Sequence, residues 1–292
     1  MKNLINYYYN FVIGNFKRVG ERFLFEVDKY RYEFLPFEND IGTFQKIYTL
    51  LINNNKYCHE VVMNKDKSLV TFYENKPYIL LKKNLYIESK ITFDDILYYD
   101  AMVFENKLLD WKKLWKEKID YYEYQISHLG LKYKTLRESM GYYIGLSENA
   151  ISLLNFVDND KIRFYSSHRR INYDDNMDML FNPINIVIDN RTRDISEFLK
   201  SNYINGFITL DDTFIIIERI NFEYDESLLL LARLLYPSYY FDLYDKIIQE
   251  QIPENKIDDY IKKNVYYETF VKSMYKYLRY KYNIPEIEWL ES

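Results

Sequence analysis

The apolar period of this 292-residue chain changes near residue 82, and that change limits the folds open to it. Before it, apolar residues alternate: Phe23, Phe25 and Val27 lie on one side of Asp28-Lys29, and Tyr30, Tyr32 and Phe34 on the other. Period two on both sides of a two-residue turn predicts a β-hairpin, because successive strand side chains point to opposite faces. Pro36 should end it. Ile41, Phe44, Ile47, Tyr48 and Leu51 then recur at helical spacing, stopped by Asn53-Asn54-Asn55. Three short strands over 57–63, 69–73 and 78–81 should follow, joined by polar turns. With 1–20 as a short helix and a loop, residues 22–81 predict β-β-α-β-β-β, a small antiparallel sheet with one helix.

Beyond residue 82 the apolar steps are three and four. The charged stretch 82–90 should carry the chain off the sheet, with Lys82 and Lys83 as solvated connector charges. Thr92-Phe93-Asp94-Asp95 resembles a capping box with Asp in place of Glu. Leu108, Trp111, Trp115, Ile119, Tyr122, Ile126 and Leu129 draw one apolar stripe along a helix, which places both tryptophans in the core. Further helices are predicted over 148–156, 225–235, 239–249 and 257–282. The expected organisation is an α+β, two-lobed chain: an N-lobe at 1–81, a connector at 82–91 and a mainly helical C-lobe at 92–292.

Composition excludes several functions. A net charge of −5 offers no basic field to nucleic acid. The single cysteine, Cys58, permits no intrachain disulfide, and no Cys/His cluster has zinc spacing. No apolar run is long enough to span a bilayer, and the N-terminal MKNLINYYYNFVIGNF, broken by Tyr and Asn, makes a poor signal peptide. A cytosolic, reduced protein is the expectation. The 33 tyrosines, against 7 glycines and 6 prolines, fit the drift of an AT-rich genome better than a dedicated aromatic surface.

The stretch at 166–200, SSHRRINYDDNMDMLFNPINIVIDNRTRDISEFLK, concentrates the candidate chemistry. It predicts a loop with His168, an apolar strand at 184–188, Asp189 at the strand end, and a helix opening near Arg193-Asp194. His168 should cap the loop through backbone hydrogen bonds, since no Ser, Cys or second His pairs with it in the sequence. Asp174, Asp175 and Asp178 lie near Arg169 and Arg170, where they should form local ion pairs or, with Asp189, a cation site. Asp194 is placed to cap a helix start.

Several strings resemble one family. Trp111-Lys-Lys-Leu114-Trp115, Tyr142-Tyr143-Ile-Gly145-Leu146-Ser-Glu148-Asn149-Ala150-Ile151, the run from Asp189 to Phe198, and Leu231-Ala232-Arg233-Leu234-Leu235-Tyr236-Pro237 occur in the order seen in the bacterial spore-coat kinase-like proteins, the YutH group related to CotS. The resemblance implies the kinase-like fold of aminoglycoside and choline phosphotransferases. Active members of that fold carry H-G-D-x-x-x-x-N, whose Asp positions the acceptor hydroxyl and whose Asn holds magnesium, with a second magnesium-binding Asp ending the next strand. Aligned on His168, the pattern puts Arg169 at the Gly, Arg170 at the Asp, Asp175 at the Asn and Asp189 at the strand-end Asp. An arginine cannot accept a proton, so the base is missing. The first hairpin turns without Gly, and the third-strand Lys should fall among Phe34, Leu35 and Pro36. The resemblance therefore implies a pseudokinase, with no cofactor and no catalytic residue, that acts by binding a protein partner in a spore coat. The alternative is an ATP- and magnesium-dependent small-molecule phosphotransferase using Asp175 and Asp189.

Overall fold

The structure is a computed structural model that describes residues 1–83, 89–99, 102–103, 110–129 and 132–291. Residues 84–88 of the expected connector at 82–91, and Leu108 of the apolar stripe, lie outside the described residues. The chain divides into two compact units: Met1–Ala101 with Asp174–Ile188, and Met102–Tyr173 with Asp189–Ser292.

The first unit is built on an antiparallel sheet. Helix α1 (Lys2–Tyr9) precedes β1 (Phe16–Val19), β2 (Arg22–Val27) and β3 (Tyr30–Pro36), followed by α2 (Ile41–Asn53). Strands β4 (Glu60–Val62), β5 (Val70–Tyr73) and β6 (Lys76–Lys83) come next, then α3 (Phe93–Tyr99). The sheet order is β1-β2-β3-β6-β4, with β5 also paired to β6. Asp28 and Lys29 both have positive φ, which is what a two-residue hairpin turn between right-twisted strands demands. Asp40 caps α2 by accepting from the Thr43 amide at 2.7 Å.

Alternation along β3 and β6 feeds two cores. Phe34, Tyr78 and Leu80 join Ile5 and Tyr9 of α1 on one face, while Leu35, Ile79 and Leu81 meet Phe44 of α2 on the other. Positions 34–36, where a third-strand lysine was sought, are thus strand residues committed largely to packing. The first hairpin is β1–β2, not β2–β3 as predicted, and its turn does contain a glycine. Gly20 has φ +62° and open space where a Cβ would stand. The absence of a glycine turn is therefore corrected. The four exposed or half-buried residues of β1 gave no alternating apolar signal to reveal it.

The second unit is mainly helical. A short strand, β7 (Met102–Val103), pairs with β8 (Phe164–His168). The helices α4 (Trp111–His128) and α5 (Lys134–Leu153) lie between them in sequence. Beyond β8, the chain passes through α6 (Met177–Leu180) of the first unit and along β9 (Ile186–Asp189), re-entering the second unit at Asp189. Then come α7 (Thr192–Ile204), α8 (Leu210–Ile220), α9 (Tyr224–Leu235), α10 (Ser238–Ile248), α11 (Lys256–Ile261) and α12 (Asn264–Tyr282). The helix predicted over 257–282 is broken at Lys262-Lys263. Helix α9 is the axis of this unit. Its residues from Asp225 to Leu235 are all buried, and it packs on α5, α7 and α12. A helix buried all round needs partners for any charge it carries.

Candidate functional site

Arg233 is one such charge, with Asp225 and Glu226 at the other end of the helix. Arg233 is 7% exposed, and its Nη2 donates to Oδ1 of Asp189, itself 1% exposed, at 2.7 Å. Asp189 ends β9 and collects further donors. The Trp111 indole donates to Oδ1 at 3.0 Å, the Asn190 amide to the same oxygen at 2.7 Å, and Arg193 Nη1 to Oδ2 at 2.8 Å. Arg193 reaches the carboxylate from four residues on, in the first turn of α7. Both guanidinium carbons also sit over the Trp111 ring, at 5.4 and 4.7 Å from its centroid. Trp111 is therefore half-buried over charge, not simply a core residue as its stripe position predicted.

The loop after β8 is tied to the same helix. His168, 1% exposed, donates through its backbone amide to Asp194 Oδ1 at 2.8 Å, and its Nδ1 lies 2.7 Å from Oδ2. The second contact fixes the Nδ1–H tautomer if the ring is neutral. Asp194 is thus spent on the histidine rather than on capping its own helix. The N-cap, Arg191, makes no side-chain cap, and Asn190 just before it accepts from the Thr192 amide through Oδ1 at 2.9 Å. Arg193 clamps the loop from the other side, donating to the carbonyls of His168 and Arg169 at 2.7 and 2.8 Å.

Arg170 turns toward Asp242 of α10, donating from Nε at 2.7 Å and from Nη2 at 3.1 Å, with Glu197 3.7 Å away. Burial would pull its guanidinium down, but Glu197 and Asp242 outweigh this and push the pKa further up. Glu197 responds in the opposite sense. Burial raises its carboxyl, yet Arg170 and Lys200 hold it below the ordinary value. Lys200 is fully buried and donates to the Arg233 and Tyr236 carbonyls, each at 3.0 Å. It thereby caps the C-terminal end of α9. Burial pulls this ammonium down to about 8 against a weaker opposing pull from Glu197.

In the first unit, Lys83 is no solvated connector charge. It ends β6 and bridges Glu33 of β3 at 2.7 Å and Asp178 at 2.6 Å, with only 10% of its side chain exposed. His59 Nε2 completes the group, 3.0 Å from Asp178 Oδ1. Asp178 therefore joins this network and not a pairing with Arg169 and Arg170. Lys82 pairs with Glu60 at 3.1 Å and covers the Tyr30 ring. Cys58 is buried and its thiol is pushed up to about 11, which makes it a poor nucleophile.

The residues expected to hold magnesium fall in different units. Asp175 belongs to the first, where its carbonyl accepts from the Ile91 amide at 3.4 Å. Asp189 belongs to the second. A divalent cation at Asp189 would have to displace guanidinium groups from a carboxylate whose two oxygens already accept four donors. As arranged, the donor set does not fit magnesium. No three His, Cys, Asp or Glu side chains among the described residues converge as a metal site. No described helix is long and apolar enough to cross a membrane. Sequence reasoning assigned no role to Arg233, Glu197, Lys200 or Asp242. A lone arginine within the apolar run of α9 was the available signal, since such a charge must be paired.

An antiparallel N-terminal sheet with one helix between β3 and β4, followed by a helical part, is the aminoglycoside phosphotransferase and choline kinase-like fold. The aminoglycoside phosphotransferase of Alicyclobacillus acidocaldarius superposes with a TM-score of 0.63 at 10% identity, covering 96% of each chain. Choline kinase LicA of Streptococcus pneumoniae gives 0.52 at 10% identity, over 92% of this chain and 97% of that one. Within that class, a family model described as "Spore coat putative kinase YutH" matches residues 2–274, and the chain belongs to this family. Endospore coat-associated protein YutH of Bacillus subtilis is 25% identical over a 209-residue alignment that covers 62% of this chain. The match spans 61% of that relative's length.

Proposed function

We propose that this chain is a non-catalytic member of its family, a kinase-shaped scaffold that binds a protein partner in the spore coat. The observation that carries this is the ion-pair hub at Asp189. The acid that the fold would give to a metal ion is instead neutralised by Arg193 and Arg233 and held by the Trp111 indole. The position of the catalytic base is filled by Arg170, locked onto Asp242, and an arginine with a raised pKa accepts no proton. Gly20 leaves a glycine turn in the first hairpin, so that loop does not separate a scaffold from an enzyme. The spore-coat setting follows from family membership and from the endospore-coat relative.

Thermal unfolding with ATP and magnesium tests the proposal. A nucleotide held at about a hundred times its dissociation constant stabilises a fold by roughly 2.7 kcal/mol. The expected outcome at millimolar nucleotide is no magnesium-dependent shift and no phosphoryl transfer. A clear shift that requires magnesium would overturn the non-catalytic assignment.

A further inference from the structure

Beside the Asp189 hub, within the second unit, lies a cavity of about 270 Å³. Lys118, Arg170, Arg193 and Arg233 line it, opposed by Glu197 alone. Even with Asp189 and Asp242 behind them included, the cations outnumber the carboxylates. Trp111, Trp115 and Tyr236 form an aromatic wall, with Tyr236 stacked on Trp115 at 4.3 Å. Three of the lining residues carry a buried polar atom with no hydrogen-bond partner among the described residues: Arg233 Nε, the Tyr236 hydroxyl and Glu197 Oε2. A buried polar group left unpaired is costly, and three of the lining residues carry one. The four cations of the lining call for an oxyanion, while the aromatic wall calls for a flat apolar body.

The geometry points to a binding pocket for an aryl oxyanion, of which an aryl phosphate monoester is the type. Resting on the assignment of Asp189 to arginines and not to metal, the inference deepens the scaffold proposal: this pocket is where the scaffold grips an anionic group. A phosphate monoester also offers a P–OH donor to Glu197 when singly protonated, which a sulfate ester lacks. The same chemistry arises from a free small molecule or from a phosphotyrosine on a partner.

Calorimetric titration of the full chain, in chelator-containing buffer, tests this with phenyl phosphate, inorganic phosphate and phenol. Saturable binding of phenyl phosphate, weaker binding of phosphate and none of phenol are expected, with affinity falling as salt rises. Lys118→Glu and Leu114→Glu place negative charge on the pocket wall without entering the core, since Lys118 is half-buried and Leu114 is 41% exposed. Each should weaken phenyl phosphate on the order of tenfold. A phosphotyrosine peptide that binds more tightly than phenyl phosphate identifies a partner side chain as the source; equal affinity identifies a small molecule. No saturation by about 10 mM, where a stabilising ligand would be evident, overturns the pocket and leaves the non-catalytic assignment standing. Binding indifferent to both variants also overturns it. Phenyl phosphate or ATP binding that appears only with magnesium would instead overturn the non-catalytic assignment.

Discussion

Arg233 and Asp189 meet at 2.7 Å with both side chains almost wholly removed from water, one from the central helix α9 and one from the end of β9. Such a pair gains little over an apolar substitute, but removing one member strands the other. Asp189→Ala leaves Arg233 and Arg193 without their shared carboxylate. It should cost about 3–5 kcal/mol of unfolding free energy, read by denaturant titration. A loss within about 0.5 kcal/mol, the scale of a surface change, would mean that the hub does not hold the fold.

An acid placed at position 170 should not create a phosphotransferase. Arg170→Asp would bring a third carboxylate beside Asp242 and Glu197 while removing their guanidinium. The variant is expected to lose about 3 kcal/mol or more and to transfer no phosphoryl group from ATP. Detectable transfer in a radiolabel assay would show that one substitution separates this chain from an enzyme.

The two lysines ending β6 should behave differently although they are adjacent. Lys83→Met leaves Glu33 and Asp178 without their shared cation and should destabilise by about 3 kcal/mol. Lys82→Met breaks only a pairing with the half-exposed Glu60 and should cost less than about 1 kcal/mol. The double variant Glu33→Gln/Lys83→Met should recover part of the first loss, in a double-mutant cycle.

Stability should rise and then fall on the alkaline side. Lys200 has a folded pKa of about 8 against an ordinary 10.5, so between these values the unfolded chain binds more protons and stability increases with pH. The gain is at most about 3 kcal/mol. Tyr9 and Tyr240 act in the opposite direction. Burial raises both to about 12, so their contribution is complete below pH 10 and is lost as pH climbs through the folded values. Cys58, raised by burial from 9 to about 11, offsets the Lys200 gain above pH 9, so denaturation midpoints should climb from pH 8 to about 9, level off, and fall beyond pH 10. In Lys200→Met the rise between pH 8 and 9 should flatten; an unchanged rise would assign it to another group.

The sequence alone determined the class of fold, because that is written in local periods. Alternation at Phe23–Phe25–Val27, the Asp28-Lys29 turn and the helical steps of Ile41–Phe44–Ile47 each depend on neighbours within a few residues. Motif order added the family, and the proposal that Arg170 stands at the position of a base came from the sequence without coordinates. Tertiary structure decided how the charges are spent. Arg193 is four residues from Asp189, but Arg233 is 44 residues away and Trp111 is 78. Lys83 and Lys82 are indistinguishable in sequence, yet one is buried between two carboxylates and the other covers an exposed ring. A strand reverses the side-chain face at every residue, so adjacent lysines meet different surroundings. Which surroundings those are depends on chain segments that only folding brings together.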